Sequence, residues 1–330
     1  MNKLLKIVGL AIAAIAFLII CAVSFIKLGL PNIEAPDITI EATPERLARG
    51  EYLANNVMGC LDCHAQRDFS KFTAPTITET KGRGGEEWNR AMGFPGHMVA
   101  PNITPYKLKD WTDGEIYRAI TSGVSKDGSP LFPIMPYKMY GQLEKEDIYS
   151  VIAYIKTLPA IPSETPEREL DFPLNLIVNT MPSEPTHQLK AHNENAVENG
   201  KYVITSAACF DCHTPQDKGQ FIESMAYAGG MEFPLMTGGI VRSANITPDA
   251  ESGIGNWTKE QFVNRFKQHA DSSFVAYDIN QGDFNTFMPW TYYAGMKTED
   301  LESIYDYLKS LQPIAHKVEK FSSNATIAKQ

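Results

Sequence analysis

Cys60-Leu61-Asp62-Cys63-His64 and Cys209-Phe210-Asp211-Cys212-His213 are two copies of one five-residue pattern, CxxCH. The chain has five cysteines, and these two pairs account for all but Cys21. Two thiols separated by two residues can add across the two vinyl groups of one porphyrin as thioethers. The adjacent histidine then lies under the ring and offers an imidazole nitrogen to the iron. A zinc site would need two further ligands for each pair, and a redox dithiol leaves unexplained a histidine placed identically twice. The pattern predicts two haem c groups, attached through Cys60 and Cys63 and through Cys209 and Cys212, with His64 and His213 as axial iron ligands.

The second axial ligand must come from a distance. Met135 stands in Phe132-Pro133-Ile134-Met135-Pro136-Tyr137 and Met288 in Phe287-Met288-Pro289-Trp290, at 75 and 79 residues beyond Cys60 and Cys209. Proline after methionine disfavours a helical methionine, so a loop can present the thioether sulfur to iron. Met135 and Met288 are the expected ligands, with His97 and His269 as competitors. Met92, Met98, Met139, Met225, Met231, Met236 and Met296 read as packing residues, the usual use of an unbranched thioether.

The repetition extends further. Ala100-Pro101-Asn102-Ile103-Thr104-Pro105 recurs as Ser243-Ala244-Asn245-Ile246-Thr247-Pro248. Each precedes a Trp-Thr step, Trp111-Thr112 or Trp257-Thr258, followed three residues after the threonine by Glu115 or Gln261, a capping box that opens a helix. After each methionine, apolar residues fall at helical spacing: Ile148, Val151, Ile152 and Ile155, then Leu301, Ile304, Tyr305 and Leu308. Before each CxxCH lies another helix, opened in the first half by Thr43-Pro44. Gly50 and Gly200 fall near its middle, where glycine weakens a helix by about 1 kcal/mol, and are expected to permit a close crossing against Tyr154 or Tyr307. Trp111, Trp257, Asn102 and Asn245 are candidate donors to haem propionates or to the ligand loops; core packing and turn formation are the competing roles.

From Ile7 to Ile26 there is no charged residue. Twenty apolar residues can span a bilayer, and Lys3 and Lys6 before them place the N-terminus in the cytoplasm. The run is longer than a signal-peptide core and lacks an A-x-A-like end, so a retained anchor is expected, with Cys21 facing lipid. The segment from Pro159 to Pro185 holds six prolines and reads as a connector of restricted flexibility. The resulting division is an anchor at 1–30, a spacer at 31–43, a first domain at 44–160, a proline-rich linker at 161–192, a second domain at 193–313 and a flexible tail at 314–330. Asn102, Asn245 and Asn324 each begin an N-x-[ST] pattern, read as coincidence.

Acidic residues (39) outnumber basic ones (30), giving a formal charge of -9, which argues against nucleic acid as a partner. The succession of CxxCH, PNITP at 101–105, WTxGExxRAIxxGVxxDGxxLFPxMPY at 111–137 and EDIxxVIAYIKTL at 146–158 resembles the cytochrome c subunits of bacterial membrane-bound alcohol, aldehyde and sugar-acid dehydrogenases. The likeness runs nearly unbroken from Gly50 to Leu158. The second half keeps Cys209, Cys212, His213, Asn245 to Thr247, Trp257, Met288-Pro289 and Glu299-Asp300, and diverges between Asp271 and Phe287. Members of that family typically carry three haem domains, against two here. The resemblance implies an all-α fold of two tandem class I cytochrome c domains after an N-terminal transmembrane helix. It also implies His/Met ligation and transfer of electrons from a periplasmic dehydrogenase to an oxidase or quinone-linked acceptor at the bacterial inner membrane.

Iron held by His and Met has no open position for a substrate, so an electron-transfer protein rather than an enzyme is expected. A dihaem peroxidase would need one haem without a firm distal ligand. A redox sensor would need an attached signalling domain.

Overall fold

Thr43 ends extended backbone and caps a helix: its Oγ1 accepts from the Arg46 amide at 3.3 Å, with Pro44 in the first turn. This is α2 (Pro44–Asn56), which follows the N-terminal α1 (Lys3–Gly29). The computed structural model describes residues 3–191, 195–270 and 274–323. After α2 come α3 (Cys60–Cys63), α4 (Pro105–Leu108), α5 (Asp113–Ser122), α6 (Tyr137–Tyr140) and α7 (Lys145–Ile155). The short α8 (Leu174–Ile177) intervenes, and then α9 (Ala196–Ser206), α10 (Cys209–His213), α11 (Lys259–Lys267), α12 (Trp290–Tyr293) and α13 (Thr298–Ser310) repeat most of the series. Both capping boxes are present, Thr112 with Glu115 and Thr258 with Gln261.

Each unit is built on a crossing of its first and last helices, α2 on α7 and α9 on α13. A Cβ added at Gly50 would lie 1.9 Å from the Ser150 carbonyl oxygen and 2.8 Å from Tyr154 Cβ. At Gly200 the same two distances, 1.9 and 2.8 Å, separate it from Ser303 O and Tyr307 Cβ. The glycines permit the backbones to touch, as their mid-helix positions predict, and Leu53, Val57, Ile148, Ile152, Ile204, Leu301 and Leu308 close around the crossings.

The expectation of an all-α chain needs correction: eight strands of two to four residues occur among the described residues. β1 (Glu87–Trp88), β2 (Gly96–Val99) and β3 (Glu169–Leu170) form one antiparallel sheet, and β4 (Gln216–Asp217) and β5 (Gln220–Phe221) form another. β6 (Glu232–Pro234), β7 (Ile240–Arg242) and β8 (Phe321–Ser322) form the third. Six of them, β1, β2 and β4 to β7, occupy the long stretches between CxxCH and the methionine loop, where glycines turn the chain too often for a helix. In the β6–β7 hairpin, Gly238 and Gly239 take positive φ and Leu235 N bonds Gly239 O at 3.0 Å.

Three connecting segments are also held more firmly than their composition predicts. β3, inside the 161–192 connector, pairs with β2. β8, inside the 314–330 tail, pairs with β7, while Asn324 lies outside the described residues. The spacer at 31–43 is strapped to α5, where Ile40 N donates to Asp113 Oδ2 at 2.7 Å and Arg118 Nη1 to Ile33 O at 3.0 Å.

The two units meet through reciprocal contacts. Tyr202, two residues after Gly200, donates to Asp147 Oδ2 at 2.6 Å. Tyr52, two residues after Gly50, donates to Asp300 Oδ2 at 2.5 Å. Each unit thus offers a tyrosine of its first helix to an aspartate that opens the last helix of the other.

Candidate functional site

The residues before each CxxCH turn the chain through left-handed conformations, Gly59 at φ 69° and Ala208 at φ 49°, so that the first cysteine starts a new helical turn. Within that turn the two cysteines of a motif are three residues apart and share a face. None of the four is paired in a disulfide. Cys63 and Cys212 open onto space accessible to water although protein surrounds them on every side, so each lines a crevice. Burial pushes the thiols of Cys60, Cys209 and Cys212 up to about 12, and Cys63 higher still. Among the described residues no group of three His, Cys, Asp or Glu side chains forms a metal site, so neither pair has the further donors zinc requires.

The histidines are oriented alike. His64 Nδ1 donates to Pro101 O at 2.8 Å, and His213 Nδ1 donates to Ala244 O at 2.8 Å. Burial lowers the pKa of both imidazoles, against the opposite pull of these carbonyls, which favours the neutral form. A neutral imidazole with its proton fixed at Nδ1 carries its lone pair at Nε2, the atom a metal takes. The PNITP and SANITP repeats supply these carbonyls, a role their sequence likeness did not reveal. Their asparagines serve the chain rather than a ligand. Asn102 donates to Ile161 O (2.7 Å) and Ser163 Oγ (2.9 Å) and accepts from Thr104; Asn245 donates to Ile314 O (2.8 Å) and accepts from Thr247. The expectation of propionate donors at Asn102 and Asn245 therefore gives way to the loop role weighed beside it. Trp111 packs half-buried against the core and Trp257 is more exposed.

Each methionine loop is tied to its own CxxCH turn. Met135 and Met288 are half-buried, and α6 and α12 begin two residues later. From the end of α6 Tyr140 donates to Met58 O, and from the end of α12 Tyr293 donates to Ala207 O at 2.8 Å. These acceptors lie just before Cys60 and Cys209. Sequence reading passed over both tyrosines, although each stands five residues after its methionine. Tyr292 crosses between units: its hydroxyl accepts from Gly59 N at 2.7 Å and donates to Ala54 O at 2.8 Å. The adjacent Tyr292 and Tyr293 rings, 5.4 Å apart, thus hold both CxxCH turns. Burial raises the pKa of Tyr140, Tyr292 and Tyr293 well above the usual phenolic value, which keeps them hydrogen-bond donors.

Of the competing histidines, one faces a carboxylate and the other lies beside the second methionine loop. His97 lies on β2 with Nε2 2.9 Å from Glu87 Oε1, and His269 is stacked on Trp290 at 5.2 Å with Nδ1 directed to Phe266 O. Met98 and Met296 are buried as packing residues, whereas Met236 is 60% exposed. Met236 instead belongs to the β6–β7 turn.

Behind the first crevice Asp62, Arg67 and Glu86 form a buried cluster in which one guanidinium serves two carboxyls; Arg67 Nη1 lies 3.8 Å from Asp62 Oδ2. Burial raises Glu86 to about 7, despite the Arg67 charge. Because the folded value is raised, Glu86 contributes stability below its unfolded value of about 4.5 that is lost as pH rises through about 7. Glu86→Gln should therefore match the wild type at pH 4.5 and exceed it at pH 8 by up to about 3 kcal/mol in denaturant unfolding. An equal effect at both pH values would rule out a proton held there.

Residues 197–312 match the family model described as cytochrome c. They form a cytochrome c domain. This domain runs from α9 to the residues just after α13 and includes the second CxxCH and Met288. Over a longer stretch the chain is 29% identical to the fructose dehydrogenase cytochrome subunit of Gluconobacter japonicus, across 67% of this chain and 44% of that protein. It is 26% identical to the cytochrome c subunit of the quinone alcohol dehydrogenase of Komagataeibacter europaeus, across 84% of this chain and 58% of that one. It is also 26% identical to a diheme cytochrome c-type protein of Cereibacter sphaeroides, across 72% and 78%. The chain spans about half the length of the dehydrogenase subunits it matches.

Proposed function

We propose that this chain is a membrane-tethered electron carrier with two covalently attached haems. Cys60 and Cys63 hold one, ligated by His64 and Met135; Cys209 and Cys212 hold the other, ligated by His213 and Met288. The observation that carries this reading is the matched pair of crevices. In both, two cysteines share a helical face, a carbonyl leaves the adjacent histidine's Nε2 free, and a tyrosine ties the methionine loop to the same turn. Held by these cysteines, histidines and methionines, haem would supply a one-electron couple, whose potential a thioether ligand would raise.

The protein's own part is to hold these groups and limit water. The Nδ1 bonds set the imidazole orientation, the tyrosine ties keep each methionine at its crevice, and the Tyr292–Tyr293 pair fixes the two attachment turns to one another. Two such sites, both with a sixth ligand, make two serial stations of tandem class I cytochrome c domains. A peroxidase, by contrast, needs an open iron position. The dehydrogenase names of the relatives support a dehydrogenase as donor; the acceptor we infer is an oxidase or a quinone-linked protein. α1 is 27 residues long with none buried, which supports a retained inner-membrane anchor, and Lys3 and Lys6 support placement of both units in the periplasm.

Haem quantitation on the denatured chain should give two covalent haems, and a count of one would overturn the repeated site. Met135→His should lower one midpoint potential and leave the other nearly unchanged, because histidine is the harder ligand. Parallel shifts of both, or none, in a redox titration would remove Met135 from the ligand set. Sustained peroxide turnover by the reduced protein would favour the peroxidase instead.

A further inference from the structure

In α1 the residues from Lys3 onward are exposed except Val23 and Ile26, and Leu30 just beyond the helix is covered as well. These three follow one another at intervals of three and four, which is one face of a helix. Against that end of α1 pack α8 and the turn Val178–Thr180. If Ile7 to Ile26 fill the hydrocarbon, the rise of 1.5 Å per residue puts Val23 about 5 Å inside its boundary. An element packed against Val23 therefore lies at the membrane surface. Ile177 at the end of α8 is 46% exposed and Phe172, two residues before α8, is 79% exposed, whereas Val178 is buried.

The segment is also fixed to the first unit. β3 pairs with β2, and Asp171 N donates to Pro95 O at 3.1 Å. Arg90 Nη2 donates to Asp171 Oδ1 at 2.5 Å. A Cβ at Gly96 would meet Glu169 O at 2.1 Å, so β3 is seated directly on the backbone of β2. In the spacer that follows α1, Pro36 O would lie 1.8 Å from a Cβ at Gly114, which straps the spacer equally closely to α5. Both segments that adjoin α1 are thus fastened to the first unit.

We propose that Phe172 and Ile177 form a membrane foot: their side chains enter the lipid interface beside α1 and hold the first unit, with its CxxCH crevice, in one orientation above the bilayer. Insertion of apolar side chains about 5–10 Å into the headgroup region is the ordinary behaviour of surface-bound elements. The occupant is lipid because the patch adjoins the anchor. The inference rests on α1 being a retained span.

The test uses the full chain in phospholipid nanodiscs, with Cys21→Ser as background and a nitroxide placed by Phe172→Cys or, separately, Ile177→Cys. Glu167→Cys, exposed in the same segment, is the reference. Collision with oxygen should exceed collision with a water-soluble nickel chelate several-fold more at positions 172 and 177 than at 167. Equal ratios at all three positions would overturn the foot. Protection of 172 and 177 from both reagents would also overturn it, since protein rather than lipid would then cover them. Alkaline carbonate extraction of the native membranes separates the two readings: release of the chain would overturn the span itself and the foot with it. Retention combined with water-accessible labels would overturn the foot alone.

Discussion

Gly50→Ala should cost about 4 kcal/mol of stability, near the upper end for a single substitution, and Gly200→Ala should cost the same. The added methyl meets a backbone carbonyl, Ser150 O or Ser303 O, at 1.9 Å, and a carbonyl in mid-helix cannot rotate aside. The helices would have to part, opening the seam where Leu53 and Val57 face Ile148, Val151 and Ile152. A gap of even a fraction of an ångström weakens dispersion contacts along the whole seam. An exposed mid-helix glycine would respond in the opposite direction, gaining about 1 kcal/mol from alanine. Thermal and denaturant unfolding decide between them: unchanged or raised stability in either variant would show that its helices do not touch there.

Asp147→Ala should destabilise by about 3–5 kcal/mol, while Asp300→Ala should cost only about 1–2. Both aspartates accept a tyrosine from the other unit, but their surroundings differ. Asp147 is 4% exposed and also accepts Arg49 through Nε at 2.8 Å and Nη2 at 2.7 Å. Its removal leaves a largely buried guanidinium without its carboxylate and the buried Tyr202 hydroxyl without its acceptor. Near Asp300, Asn199 bonds Ser303 Oγ instead and brings no charge. The half-buried Tyr52 hydroxyl also accepts from Lys297 N at 2.9 Å, and Lys297 Nζ lies over its ring at 4.9 Å. Paired unfolding measurements test the difference. Equal losses would place the interface energy in the tyrosines alone, and Tyr202→Phe would then match Asp147→Ala.

These two predictions draw on different information. The glycine crossing was legible in sequence because its signals are local: a glycine nine or ten residues before each CxxCH, a capping threonine, and apolar residues at helical spacing. The capping boxes on Thr112 and Thr258 were legible for the same reason, since a side chain and an amide three residues apart meet whatever the rest of the chain does. The Asp147 network was not legible. Arg49, Asp147 and Tyr202 come from three helices and two units, and nothing local distinguishes Asp147 from Asp300.

Taken alone, the sequence determined the repeated CxxCH turns, the Met-Pro loops after them, the apolar N-terminal run and the order of the main helices, because short-range spacing settles each of these. Tertiary structure decided the rest. It aimed the imidazoles by giving His64 and His213 carbonyls 37 and 31 residues away. It turned the asparagine repeats into loop ties, paired parts of the connector and tail as strands, and placed Tyr140, Tyr292 and Tyr293 around the attachment turns. Hydrogen-bonding groups that are buried must find partners wherever the chain brings them, and those partners lie too far along the sequence for spacing to reveal.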